Sequence, residues 1–304
     1  MDRMIKIGMG MVLAGIVGLF SVKTPTISMS TTSNTNISSH PFYGMDFVPV
    51  EDFPIVKKMG VEMVSQTFSH DGDPQTWLDQ LDKAQEAGLK VNAWLWPQGW
   101  TWNGTNWTID SKARSFFQTV ATHPALFSVY VFNEPYWQEC FGCGYTTSQL
   151  QQLYKQIKDI ANVPIFSAVD SMSYWTSYST ETAFADEICD YCATWYYPFT
   201  DSEDKIDELK IQIENDIAIA HQRAPKSKIV WLMQSFGQRS SNLRMPNAND
   251  MNTLADIVYA SGVDGVIWYV WSFDSLYDDY LSKHPELYDT IGQIYKNHLV
   301  MPGN

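Results

Sequence analysis

Eight short apolar runs, separated by amphipathic stretches, constrain the fold of this chain more than any other feature of its sequence. The runs occupy residues 42–47, 62–68, 90–96, 128–132, 164–169, 191–197, 228–233 and 265–270. Stretches with helical periodicity lie between or after them, at residues 74–87, 111–122, 147–161, 203–223, 249–260 and 286–298. Runs that are apolar almost throughout are typical of strands in a parallel sheet that is buried on both faces.

The order of these segments predicts a closed barrel. Asp73 is a typical N-cap residue, and Pro74 after it is typical of the first position of a helix. Gly88 and Gly262 each follow a predicted helix and precede a predicted strand, as a glycine at a helix C-terminus does. Eight strands, most of them followed by a helical stretch, in 304 residues match the size of one α/β barrel. We therefore predict the α/β class and a single-domain (β/α)8 TIM barrel. A doubly wound open sheet is the alternative, but no Gly-x-Gly-x-x-Gly follows the first strand to support its dinucleotide-binding form.

The N-terminal region has the pattern of a targeting segment followed by a linker. Arg3 and Lys6 precede an apolar stretch at residues 7–20, so residues 1–22 are predicted to be a signal peptide or an uncleaved N-terminal anchor. Residues 23–39 are rich in Ser and Thr and predict a flexible linker, which leaves residues 40–304 for the barrel domain. We expect the protein to be secreted or extracellular, with membrane attachment only through that anchor.

The charge balance limits the class of partner. The net charge of −14 gives an acidic surface that repels phosphate backbones, so nucleic acid is not expected to bind. A neutral substrate fits this surface better.

The four cysteines form two Cys-x-x-Cys pairs, Cys140 with Cys143 and Cys189 with Cys192. This spacing is compatible with a zinc site, but export favours disulfides, and the strand assignment separates the two pairs. We expect a local disulfide in the first pair and leave the pairing of the second open. No metal site is predicted.

Polar and aromatic side chains are concentrated where the predicted strands end. In a TIM barrel this rim forms the active site. Its aromatic residues carry flat faces and polar edges that suit sugar rings, and its amides and carboxylates can bond hydroxyl groups. The sequence therefore predicts a carbohydrate-binding cleft. The aromatic candidates for substrate binding are Trp96, Trp137, Trp195, Tyr196, Tyr197 and Trp271.

The fourth strand ends in Asn133-Glu134-Pro135. This segment resembles the Asn-Glu-Pro signature of the large clan of retaining barrel glycosidases. The resemblance implies that Glu134 is the catalytic acid/base and that Asn133 bonds a sugar hydroxyl. A carboxyl among aromatic walls has its pKa raised by desolvation, which suits an acid that protonates a leaving oxygen.

The seventh strand departs from that clan, because it ends in Gln234 where the clan has its nucleophilic Glu. An amide cannot act as a carboxylate nucleophile, which puts the two-Glu mechanism in doubt. The stretches around Arg244 and residues 260–269 are similar to a group of barrel hydrolases that also have Gln at this position.

Three mechanisms therefore remain open. In the first, another strand-end carboxylate assists Glu134; Asp170 is the first candidate, Asp46 the second and Asp274 the third. In the second, an N-acetyl group of the substrate attacks, oriented by Gln234, Tyr196 or Tyr197. In the third, the cleft binds sugar without cleaving it.

The leading hypothesis is a cofactor-free hydrolase of O-glycosidic bonds in an oligo- or polysaccharide. Its catalytic residues would be Glu134 with Asp170 or Asp46, and Gln234 would contact the sugar. The alternative is a non-catalytic carbohydrate-binding TIM barrel at the cell surface.

Overall fold

A closed barrel of eight parallel strands forms the centre of the molecule. The computed structural model describes residues 41–137 and 144–299. The barrel strands are β1 (Phe42–Met45), β2 (Met63–Ser69), β3 (Lys90–Trp96), β4 (Leu126–Asn133), β5 (Ile165–Ala168), β6 (Tyr191–Trp195), β7 (Lys228–Gln234) and β8 (Gly265–Tyr269). Each strand pairs with its neighbours in sequence, and β1 closes the ring against β8. The predicted TIM barrel is confirmed.

Within residues 41–137 and 144–299, eight α-helices alternate with the strands. They are α1 (Phe53–Lys58), α2 (Pro74–Glu86), α3 (Ser111–Val120), α4 (Thr147–Ile160), α5 (Met172–Tyr178), α6 (Ile206–Arg223), α7 (Ala248–Ala260) and α8 (Tyr288–His298). Asp73, Asp110 and Thr146 accept hydrogen bonds from backbone N–H groups in the first turns of α2, α3 and α4. The sequence did not predict α1 and α5, which have six and seven residues, because so few turns give little periodicity.

Alternation along the strands divides the apolar side chains into an interior set and an outer set. The interior set is Met63, Tyr130, Phe166, Ala168, Ala193, Val230, Leu232 and Ile267. At the N-terminal ends of the strands, the rings of Phe42, Phe127 and Tyr191 pack with centroid distances of 4.6–5.8 Å. These rings fill the barrel interior at the N-terminal ends of the strands.

The second cysteine pair, which the sequence left open, is a disulfide between Cys189 and Cys192. These two sulfurs bond each other and are therefore not thiolate ligands for zinc. Cys140 and Cys143 lie outside the described residues, as do the predicted N-terminal segment (1–22) and linker (23–39). In the part of the chain that the structure describes, no helix is long and apolar enough to span a bilayer.

Two glycines give a matched test of barrel closure. A Cβ on Gly265, at the start of β8, would lie 2.2 Å from the Phe42 ring, whereas a Cβ on Gly292 in α8 would have its nearest neighbour at 3.7 Å. We expect Gly265→Ala to lower the free energy of unfolding by about 1–3 kcal/mol through overpacking. Gly292→Ala should raise it by about 0.5–1 kcal/mol, because alanine favours the helix.

Urea unfolding of both variants beside the wild type measures this difference. Equal effects of the two substitutions would mean that Phe42 moves aside without cost and does not fix the closure of the barrel.

Candidate active site

Three carboxyl groups lie at the C-terminal ends of the barrel strands: Asp46 after β1, Glu134 after β4 and Asp170 after β5. The backbone N–H of Asp46 donates to Trp268 O at 3.0 Å, and its carbonyl accepts from Trp271 N at 3.0 Å. Glu134 and Asp170 both have left-handed backbone conformations, with φ of 51° and 63°. Such conformations are uncommon for residues with side chains and often occur at functional sites.

Glu134 is partly buried at the mouth of the barrel. Its backbone N–H donates to Ala168 O at 2.8 Å, which ties the end of β4 to the end of β5. Desolvation, followed by the negative charge of Asp170, raises the pKa of Glu134 to about 7. Both influences disfavour the ionised carboxylate, so Glu134 keeps its proton up to neutral pH.

Asp170 is the carboxyl next to Glu134. Trp137 Nε1 donates to Asp170 Oδ2 at 3.0 Å. Desolvation raises the pKa of Asp170 to about 6, and hydrogen bonds from Trp137 and from the Ser171 backbone oppose that rise. Because these donors favour the charged form, Asp170 ionises at lower pH than Glu134.

Asp46 is the most enclosed of the three, with 2% of its surface exposed. Its Oδ1 has no hydrogen-bond partner among the described residues. Desolvation raises the pKa of Asp46 to about 7, against the lowering effect of a hydrogen bond with Ser65. Asp46 is therefore a neutral acid over much of the same pH range as Glu134.

Tyrosine hydroxyls face these carboxyls. The rings of Tyr197 and Tyr269 are nearly parallel, with centroids 6.2 Å apart, and Tyr277 OH donates to Tyr269 OH at 2.8 Å. Burial raises the pKa of Tyr197 well above its usual value, and the neighbouring Tyr269, Glu134 and Asp46 raise it further. These hydroxyls stay protonated at neutral pH and can donate to substrate oxygens.

Of the predicted binding residues, Trp96, Asn133, Trp137, Trp195 and Tyr197 are partly or fully exposed at the strand ends or just beyond them. Trp96 packs on Trp94, with centroids 5.3 Å apart, and Trp195 lies nearly parallel to Tyr197. Asn133 Oδ1 accepts a hydrogen bond from Tyr130 OH at 3.0 Å. These side chains can contribute surface to the mouth of the barrel.

Two other predicted binding residues, and one carboxylate candidate, are engaged elsewhere. Trp271 is 1% exposed and donates to Asp52 Oδ2 at 2.8 Å, so it is a packing residue with no free face. Tyr196 OH bonds Glu208 in a groove between α5 and α6. Asp274, the third carboxylate candidate, bonds Tyr280 OH and leaves 85% of its side chain exposed.

The Gln234 amide is fully buried and bonded to backbone. Its Oε1 accepts from Phe199 N at 3.1 Å, and its Nε2 donates to Phe199 O, Phe236 O and Arg244 O at 2.9–3.2 Å. The loops after β6 and β7 therefore cover the end of β7. Gln234 therefore has no free donor for a sugar, and the predicted contact between Gln234 and the substrate is not supported.

Two residues of the mouth, Trp94 and Tyr269, were not singled out from the sequence. Alternate side chains on a strand share a face, so Tyr269, two residues after the interior residue Ile267 on β8, also faces the interior. Trp94 on β3 packs against the same interior set. That parity also places Trp268, which is 0% exposed, against the helices.

In the part of the chain that the structure describes, no group of three His, Cys, Asp or Glu could hold a metal ion.

The barrel has the same fold as several solved TIM-barrel structures. An endo-β-1,4-mannanase from Thermotoga petrophila superposes with a TM-score of 0.55 at 12% identity, over 88% of this chain and 79% of that chain. A second structure, a hyperthermostable endo-1,4-β-D-mannanase from Thermotoga petrophila RKU-1, superposes with a TM-score of 0.54 at 12% identity. This superposition covers 84% of this chain and 99% of that chain.

A glycoside hydrolase family 5 protein from Streptomyces cattleya, in complex with Manβ1-4GlcNAc, superposes with a TM-score of 0.53 at 15% identity. This superposition covers 76% of this chain and 71% of that chain. No protein-family model matches the chain, and no curated protein matches its sequence. At these identities the similarity establishes the fold alone.

The bonding of Gln234 predicts that a carboxylate cannot be restored at the end of β7 without cost. Gln234→Glu would deprive three backbone carbonyls of their donor and bury a charge. We expect it to lower the free energy of unfolding by about 3–5 kcal/mol at pH 7.5.

Gln212→Glu is the matched control, because Gln212 is partly exposed and donates one bond, to Trp195 O at 2.9 Å. It should cost about 1 kcal/mol. Denaturant unfolding of both variants compares them. A Gln234→Glu protein as stable as the wild type would show that the loops over β7 open readily.

Proposed function

We propose that this protein is a glycoside hydrolase that cleaves O-glycosidic bonds in an oligo- or polysaccharide, with Glu134 as general acid. The observation that carries the proposal is the position of Glu134, which is partly buried at the C-terminal end of β4 in a TIM barrel and lies beside Asp170. Desolvation and Asp170 raise its pKa to about 7. The fold shared with mannanases and a family 5 glycoside hydrolase supports the same reaction class.

Glu134 would protonate the glycosidic oxygen as the bond to the anomeric carbon breaks. A sugar alkoxide is a poor leaving group, so the acid must hold a proton at the working pH and yet release it in the transition state. An ordinary Glu is almost fully ionised at pH 7. Partial burial and the adjacent carboxylate meet this requirement at Glu134.

Asp170 would supply the second carboxylate. The hydrogen bonds from Trp137 and Ser171 stabilise its charged form, whereas the negative charge of Asp170 favours the protonated form of Glu134. Glycosidases commonly use two carboxyls, one protonated as the acid and one ionised as the nucleophile or base. The negative charge of Asp170 would stabilise the developing oxocarbenium ion. Its carboxylate would either bond the anomeric carbon, in an intermediate that water then hydrolyses, or accept the proton of a water that attacks this carbon directly. The anomeric configuration of the first product, read by NMR, distinguishes retention from inversion.

Aromatic residues and tyrosine hydroxyls would position the sugar. Trp96 and Trp195 offer faces for sugar C–H groups, while Tyr197 and Tyr269 offer neutral hydroxyl donors. Asn133 would bond a sugar hydroxyl through its amide N–H group. Three groups were considered for orienting a substrate N-acetyl group. Gln234 and Tyr196 are engaged in hydrogen bonds within the protein, which leaves Tyr197 alone for that role. This favours the mechanism in which a second carboxylate assists Glu134.

A non-catalytic carbohydrate-binding barrel is the second candidate. The observation in its favour is Gln234, whose buried amide replaces the strand-seven carboxylate of the clan that the chain resembles. Such a protein would bind glycan in the same cleft and release no product.

Glu134→Gln tests the proposed acid. On an oligosaccharide we expect kcat to fall by about 10²–10⁴, because the sugar leaving group then departs unprotonated. On a nitrophenyl glycoside the loss should be much smaller, because nitrophenolate leaves without protonation. Asp170→Asn should reduce turnover on both substrates, and Asp46→Asn should retain more activity than Asp170→Asn.

Asp207→Asn is the control for lost negative charge, because the Asp207 side chain is 96% exposed on α6. It should cleave at the wild-type rate. If Glu134→Gln keeps more than a tenth of the wild-type rate on the oligosaccharide, Glu134 is not the acid. Glycan binding by the wild type without any product would establish the second candidate.

The pH dependence of kcat/KM on an oligosaccharide provides an independent test. We expect a bell-shaped profile that rises near pH 6 as Asp170 ionises and falls near pH 7 as Glu134 loses its proton, the two titrating as a pair. In Asp170→Asn the charge that raises the Glu134 pKa is gone, so the alkaline limb should move to lower pH. An alkaline limb that stays in place would mean that Asp170 does not act on Glu134.

A further inference from the structure

Three exposed aromatic rings extend outward from the candidate active site. Trp137 is 42% exposed, Tyr174 is 46% exposed and Tyr178 is 67% exposed. Trp137 lies three residues after Glu134, and Tyr174 and Tyr178 are one turn apart on α5. We refer to these three residues as the aromatic strip. It begins at the carboxyl pair, since Trp137 Nε1 bonds Asp170 Oδ2 at 3.0 Å.

The rings of the strip are nearly parallel but offset. Trp137 and Tyr174 have centroids 6.4 Å apart with an angle of 16° between their planes, and Tyr174 and Tyr178 have centroids 5.8 Å apart with an angle of 27°. Carbon atoms in contact lie about 3.5–4.0 Å apart, so rings at these separations overlap only in part. Part of each ring face therefore remains open to a ligand.

A buried residue holds the strip in place. Trp175 is 4% exposed, and its ring meets those of Trp137, Tyr174 and Tyr178 at angles of 75–87° with centroid distances of 5.0–5.5 Å. These edge-to-face contacts are a favourable aromatic geometry. Because the three rings are packed before any ligand arrives, binding to them loses little side-chain entropy.

A groove with aromatic, apolar and polar lining residues borders the strip between α5 and α6. It has a volume of about 540 Å³, and Tyr174 forms part of its wall. Ser173, Ser177, Gln212 and Asn215 contribute hydroxyl and amide groups to it, and Ile211 contributes apolar surface. Glu208 is its charged residue, and no Lys or Arg is among the described residues that line it. Aromatic faces beside hydroxyl and amide groups suit a sugar chain without anionic groups.

We infer that the aromatic strip and this groove bind a neutral polysaccharide that extends out of the active-site cleft. This inference rests on the proposed function and specifies its substrate as a polymer rather than a short glycoside. The carboxylate of Glu208 and the net charge of −14 oppose a polyanionic glycan. The strip is continuous with the carboxyl pair, so one chain can occupy both.

Tyr174→Ala/Tyr178→Ala tests this binding surface. We expect it to weaken the affinity for soluble glucomannan, arabinoxylan or mixed-linkage β-glucan, whichever the wild type binds, by roughly tenfold in calorimetry. The ratio of kcat/KM on that polymer to kcat/KM on a nitrophenyl glycoside should fall by a similar factor. Both rings are exposed, so the folded state should be retained, as judged by thermal unfolding.

Two controls separate ring stacking from other effects. Tyr174→Phe/Tyr178→Phe keeps the ring faces and should bind polymer within about twofold of the wild type. Ile55→Ala removes an exposed apolar side chain, 38% exposed, from α1, which follows β1 on the opposite side of the barrel from β5. It should change neither affinity nor turnover.

The outcomes distinguish the strip from the proposed function. If the double alanine variant binds and cleaves polymer like the wild type, the strip does not bind polysaccharide. Polymer binding that depends on the strip, without any cleavage by the wild type, would support the strip and overturn the hydrolase. Binding of polygalacturonate in preference to the neutral polymers would overturn the inferred substrate class, and no binding to any of them would overturn the inference.

Discussion

Closure of the barrel through the parallel pairing of β1 with β8 is the constraint on which the rest of the structure depends. Phe42 pairs with Gly265 and Met45 with Trp268, so the backbone groups of the first strand are satisfied on the side where the ring closes. A closed barrel of parallel strands has no free edge, and all its C-terminal ends reach one rim. Asp46, Glu134 and Asp170 are far apart in sequence, and this geometry brings them to the same rim.

Desolvation at that rim then gives the carboxyls different chemical properties. Aromatic side chains exclude water from Glu134 and Asp170, which raises both pKa values. Donors from Trp137 and Ser171 favour the charged form of Asp170, whereas the negative charge of Asp170 favours the protonated form of Glu134. Trp137 thereby links two functions, since its N–H bonds Asp170 while its ring begins the exposed strip supported by Trp175.

The end of β7 shows how a polar residue at a conventional catalytic position can serve packing. Gln234 offers one acceptor and two donor hydrogens, and the backbone of the two covering loops uses both kinds of group. A glutamate would lack those donors, so the loops and the amide depend on each other. The catalytic apparatus that we propose therefore lies on the β4–β5 side of the mouth, where Glu134 and Asp170 are neighbours.

The sequence by itself determined the barrel and its strand positions, because burial on both faces and the order of segments are recorded in local patterns. Glu134 was identified as the candidate acid through the resemblance of Asn133-Glu134-Pro135 to the glycosidase signature. The short helix α5, the inward orientation of Tyr269 and the engagement of Gln234, Tyr196 and Trp271 were decided by the tertiary structure. Their roles depend on parity within each strand and on loops that pack across strands. A residue type shows what chemistry a side chain can perform, whereas burial and its neighbours determine whether a ligand can reach it.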